Sequence, residues 1–87
     1  MIGDDFRMEL SMIVEPGQEA VLVAIEPVSL HGDRYFDVVI GDLEAPDDPE
    51  RFLRARLGPE AVEGDPKAGD RVKLDGFLQT VTKIIAI

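Results

Sequence analysis

The sequence predicts a mainly β fold: a small five-stranded closed barrel with one short helix between strands 3 and 4, occupying residues 1–87 as a single domain. Three observations carry that expectation. Runs in which apolar and polar residues alternate with a period of two cover most of the 87 residues. Segments bearing Gly, Pro or Asp separate the runs. One segment with helix-start chemistry follows the third run and precedes the last two.

In the first run, Phe6, Met8, Leu10, Met12 and Val14 alternate with Arg7, Glu9, Ser11, Ile13 and Glu15. Glu15-Pro16-Gly17-Gln18 ends it, because Pro presets one dihedral angle and Gly permits a positive φ. The second run, Glu19–Leu30, places Val21, Val23 and Ile25 on one face and Leu22, Ala24 and Glu26 on the other, with Pro27 marking an edge, a bulge or a bend. His31-Gly32-Asp33 turns the chain. In the third run, Arg34–Leu43, Phe36, Val38 and Ile40 oppose Tyr35, Asp37 and Val39, so runs two and three form a hairpin.

Asp48 is a helix cap, Pro49 suits the first helical position and Glu50 the first turn. The helix is expected to end near Leu57, ahead of Gly58-Pro59. Phe52, Leu53 and Leu57 make its apolar arc, with Arg51 and Arg54 pointing away. Too short to stand alone, it is expected to plug one end of the barrel. Glu60–Gly69 is a polar connection. Asp70–Leu74 is strand four and Phe77–Ile87 carries the remainder, with Asp75-Gly76 as either a hairpin turn or a bulge.

Composition narrows the functional classes. The net charge is −9, unevenly spread: residues 1–50 hold 13 acidic and 2 basic side chains, residues 51–87 hold 5 and 7. Such an acidic chain repels phosphate backbones at long range, while an anionic ligand would be drawn to the second half. The absence of Cys removes disulfides, thiolate catalysis and cysteine-rich zinc sites. No apolar stretch reaches membrane-spanning length, and the acidic start, with Asp4 and Asp5, does not read as a secretory signal, so a cytoplasmic location without membrane attachment is expected.

The segment Gly69-Asp70-Arg71-Val72-Lys73-Leu74-Asp75-Gly76-Phe77-Leu78 is similar to the fourth strand of OB-fold single-stranded nucleic-acid-binding proteins of the replication protein A kind, in which a Gly-Asp opening precedes alternating residues and a later Gly. With the strand order, the resemblance covers nearly the whole chain. It implies an OB-like barrel with a ligand face on the middle strands, where aromatic side chains stack on bases and Lys or Arg follow the backbone. The nucleic-acid-binding candidates are then Arg34, Tyr35, Arg71, Lys73 and Phe77. The sequence departs from that pattern by placing Glu26, Asp33 and Asp37 on or near the same strands and by having one Tyr and no Trp.

Each candidate also has a plainer role. Tyr35 suits half-buried packing, and Arg51, Arg54, Arg71 and Lys73 suit a solvated surface that balances the acidic half. His31 lacks a second His or Cys to share a metal, and Ser29 with His31 does not form a nucleophile and base. Asp42, Glu44, Asp47, Asp48 and Glu50 lack the spacing of a calcium loop. The sequence therefore implies no enzyme, metal or other cofactor. The expected function is non-catalytic binding of single-stranded DNA or RNA. The alternative is a protein-interaction or assembly subunit that uses the acidic face or an exposed strand edge toward a protein partner or a second copy.

Overall fold

A computed structural model of the protein describes residues 14–78 and 80–87. Six strands, β1 Gln18–Leu30, β2 Asp33–Gly41, β3 Leu53–Leu57, β4 Val62–Glu63, β5 Arg71–Phe77 and β6 Thr80–Ala86, form one sheet in the order β3-β2-β1-β5-β6-β4. All pairings are antiparallel except the short parallel contact of β4 with β6. The sheet curls until β3 approaches β6, but among the described residues no ladder joins them, so the result is a half-barrel and not the expected closed five-stranded barrel.

β1 and β2 form the expected hairpin. Leu30 pairs with Asp33 around His31 and Gly32, whose φ values of 50° and 85° define the two-residue turn whose twist matches a β-ribbon. The register slips between Leu22 and Ala24, leaving Val23 as a bulge. That bulge corrects the face assignment made from simple alternation. Ala20 and Leu22 are buried, and Ile25, three residues beyond Leu22, packs against the same core beside its partner Val38.

The expected helix does not form. Asp48 does cap Pro49, its carboxylate accepting the Glu50 N–H at 3.0 Å, but only a single 3-10 turn, Pro49–Arg51, follows before the chain enters β3. Leu53 and Leu57, four residues apart, satisfy both a helical and an alternating period. Ala55 decides between them, because Leu53, Ala55 and Leu57 face the core while Arg54 and Arg56 are exposed. A nine-residue helix is marginal in water, whereas the strand gains a continuous ladder with β2 from Phe36↔Leu57 to Ile40↔Leu53. The segment after Leu57 is more structured than a plain connection: a second 3-10 turn, Pro59–Ala61, leads into β4.

The expected strand Phe6–Val14 lies outside the described residues except for Val14. Val14 pairs with Leu78 in the line set by Gln18↔Leu74, so Glu15–Gln18 does not reverse the chain; Val14 continues the course of β1 beside β5. At Asp75-Gly76 the β5–β6 register shifts, which makes this pair a bulge inside β5, and the ladder continues to Phe77↔Thr80. Gly76 has φ +149°, and a Cβ there would collide with the Thr80 carbonyl oxygen.

The core is Val14, Ala20, Leu22, Val38, Ile40, Leu57, Val72, Leu74, Val81 and Ile84, all on the concave face, and no polar side chain is buried among the described residues. At Gly17, with φ +82° and open space around it, Gly17→Ala is expected to cost ~1–2 kcal/mol from backbone strain alone. Gly76→Ala adds a steric clash to that strain and is expected to cost clearly more, measured as the difference in urea unfolding free energy. Equal losses would contradict the close approach at Gly76.

Candidate functional site

The core ends well before β1 and β2 do. Past Ile25 on β1 and before Val38 on β2, the described residues contribute no fully buried side chain, and beyond the last β2–β3 pair, Phe36↔Leu57, the hairpin from Val28 to Tyr35 stands out as a two-stranded arm on a base of Glu26, Pro27, Phe36 and Asp37. The molecule is accordingly elongated, 47 × 28 × 22 Å. On the arm's outer face, Val28 pairs with Tyr35 and Glu26 with Asp37; on the other, Pro27 pairs with Phe36 and Ser29 with Arg34. Val28, Leu30 and Tyr35 are only half-buried. A depression of about 370 Å³ runs along the arm, lined by Pro27, Val28, Ser29, Arg34, Tyr35 and Phe36.

Pro27 has a defined place in this ribbon. Leu30 and Asp33 flank a two-residue turn and so form a narrow hydrogen-bonded pair. Alternation then directs the peptide groups of Val28, Glu26 and Ala24 toward β2 and those of Ser29, Pro27 and Ile25 toward the opposite edge. β5 covers that edge of β1 only from Gln18 to Val21, with Leu22 bonded to Gly69 and Asp70 just beyond. Beyond Leu22 the edge is open among the described residues, and Pro27 supplies no N–H to it.

The residues singled out from the sequence do not assemble into one site. Arg34 and Tyr35, being adjacent on a strand, point to opposite faces of the arm. Arg71 and Lys73 share the exposed face of β5, opposite the buried Val72 and Leu74, as alternation requires. Tyr35 sits opposite Val28 and Lys73 opposite Glu19, nine residues apart along β1, or roughly 30 Å. Phe77 is 64 % exposed at the far end, next to Leu78. What sequence reading missed is the arm: the proline was visible, but the point at which the neighbouring strands stop is a tertiary fact.

The charged side chains neutralise one another across the sheet. Arg56 grips Asp37 with two hydrogen bonds, Nε to Oδ1 at 2.7 Å and Nη2 to Oδ2 at 2.9 Å. Arg51 Nη1 lies 2.9 Å from Asp42, Arg71 Nη1 3.4 Å from Glu19, Lys83 Nζ 2.7 Å from Glu63 and Lys67 Nζ 3.5 Å from Asp65. The hydrogen bond from Arg56 lowers the Asp37 pKa, and in return raises that of Arg56. The Glu44 backbone N–H, then Arg51, lowers that of Asp42. Glu63 raises that of Lys83. Exposed pairs of this kind stabilise little, typically ~0–1 kcal/mol, but they set Arg51, Arg56, Lys67, Arg71 and Lys83 against carboxylates, while Arg34, Arg54 and Lys73 have no such pair among the described residues.

Among the described residues, no three His, Cys, Asp or Glu side chains are grouped to hold a metal ion, and no helix is long and apolar enough to cross a membrane. The fold and surface define a mainly β, barrel-like protein with a projecting ribbon. Comparison with protein-family models, curated proteins and solved structures finds no match.

Two outcomes follow from the edge and the Asp37–Arg56 pair. Pro27→Thr restores an edge N–H and is expected to raise concentration-dependent association in sedimentation velocity, with the secondary structure unchanged. Because the folded-state pKa of Asp37 lies below the ordinary 3.8, its contribution is complete above that value and disappears as pH falls through the folded one. Asp37→Asn should therefore make the urea midpoint less pH-dependent below 3.8 than in the parent protein.

Proposed function

We propose that this chain is a non-catalytic protein-interaction module that engages its partner through the β1–β2 arm. The observation carrying this reading is the arm itself. A two-stranded ribbon is marginal in water, and this one holds Val28, Leu30 and Tyr35 half-exposed beyond the core. A surface of that kind gains stability by docking. The arm and its base carry Glu26 and Asp33 alongside one cation, Arg34, and the chain's net charge of −9 makes long-range attraction favour a cationic partner.

The single-stranded nucleic-acid reading keeps one supporting observation, the common exposed face of Arg71 and Lys73. Against it, Arg71 lies 3.4 Å from Glu19, and the stacking candidate Tyr35 stands at the other end of β1. Base stacking and backbone tracking work together only when they are adjacent.

The readings separate by measurement. A photo-crosslinking residue at Val28 of the full chain, exposed to extract of the source cells, should give a discrete protein adduct that the same residue at Lys73 does not. Fluorescence anisotropy with labelled oligo-dT at low salt should show no binding. Adducts confined to Lys73, or oligo-dT binding whose salt slope is flattened by Arg71→Ala with Lys73→Ala, would overturn the proposal. The variant Val28→Ser, Leu30→Ser, Tyr35→Ser lies outside the core and is expected to lose the adduct while its Tm falls by no more than roughly 8 °C.

A further inference from the structure

We infer that the edge of β1 left open among the described residues, Ile25–Leu30, takes an extended basic segment of the partner protein as an added strand. This rests on the arm being the contact element, and names what it contacts and how.

The edge offers a strand-sized template. Ile25 and Ser29 direct both N–H and C=O outward and Pro27 directs its C=O, over six residues or about 20 Å, the usual length of a strand. Main-chain pairing to such an edge supplies affinity, and the side chains beside it supply selectivity. On the outer face of the edge strand those side chains are Ala24, Glu26, Val28 and Leu30, one carboxylate in an apolar row. Glu26 is exposed. An added strand that alternates Lys or Arg with apolar residues can set a cation beside Glu26, while the part of the depression on the opposite face, lined by Pro27, Ser29, Arg34 and Phe36, accepts an apolar side chain and, through the Arg34 guanidinium, disfavours a second cation there.

A second copy of this chain fits poorly. Pairing two such edges brings together two Glu26 carboxylates and two molecules of charge −9, and Pro27 removes a donor from each strand. An acidic segment is repelled for the same electrostatic reason. A basic strand meets neither obstacle.

The test uses the full chain, ¹⁵N-labelled, titrated with an acetylated and amidated peptide of alternating Val and Lys. Two controls accompany it: the same peptide with Glu for Lys, and the Lys peptide N-methylated along one edge. The Lys peptide should shift the Ile25 and Ser29 amides and slow their hydrogen exchange. N-methylation of the pairing edge, and separately Glu26→Lys in the protein, should each weaken binding by at least about tenfold, and the Glu peptide should not bind. Equal binding of the methylated peptide would overturn strand addition, since charge alone would then explain the attraction. Protection of Ile25 and Ser29 that grows with protein concentration and without peptide would overturn it in favour of a second copy. If the Val28 and Tyr35 signals move while Ile25 and Ser29 do not, strand addition fails but the arm remains the contact; if peptide shifts fall only around Arg71 and Lys73, both fail.

Discussion

The unequal pairing of β1 governs this molecule. Its thirteen residues are matched by β2 from Val21 to the turn, but β5 accompanies it only from Gln18 to Val21. Around the point where β5 gives way to β2, at Val21 and Leu22, the sheet curls and Ala20, Leu22, Val72 and Leu74 close into an apolar interior. From Ile25 to Pro27 the β1–β2 pair is still backed by β3 and packs on the core, and only past Phe36↔Leu57 do the two strands run on as a ribbon. The bulge at Val23 sits just past the handover between these regimes and turns Ile25 back toward the core. A single local irregularity thus keeps the apolar face continuous while the edge changes from paired to open.

Electrostatics follow the same topology. Antiparallel pairing brings the acid-rich first half against the cation-bearing second half: Asp37 meets Arg56 across β2 and β3, Glu19 meets Arg71 across β1 and β5, and Asp42 meets Arg51 near the 3-10 turn. Of the cations that a linear reading gathers into a basic half, Arg51, Arg56, Lys67, Arg71 and Lys83 each stand beside a carboxylate. The surface left over is acidic in net charge, and its most projecting element is apolar and hydrogen-bonding in character. That combination suits a protein surface better than a phosphate backbone.

Much of the fold was legible because strand alternation and turn chemistry are local. Phe36, Val38 and Ile40 against Tyr35, Asp37 and Val39, the His31-Gly32 turn, and Val72 and Leu74 against Arg71 and Lys73 can be read from neighbouring residues alone. The helix was misread because its evidence was equally local but double-valued. Asp48 and Pro49 do start a helical turn, yet Leu53 and Leu57 fit either period, and only the waiting edge of β2 settles the matter. Closure of the barrel was inferred from element order, which does not fix whether edge strands meet. The binding candidates failed to converge for a related reason: Tyr35 and Lys73 lie on strands that share β1 as a neighbour but touch it at different heights.

The sequence alone determined a β-rich chain without Cys, its main hairpin, the inward and outward faces of β2 and β5 and its excess of negative charge, because these depend on residue type and on the spacing of near neighbours. The tertiary structure alone decided that Leu53–Leu57 is a strand and that, among the described residues, the sheet stays open and the end of β1 projects with an unshared edge. Those outcomes depend on which peptide groups distant segments leave unpaired, and hydrogen-bond partners across a sheet are set by register and curvature, which no short window of residues contains.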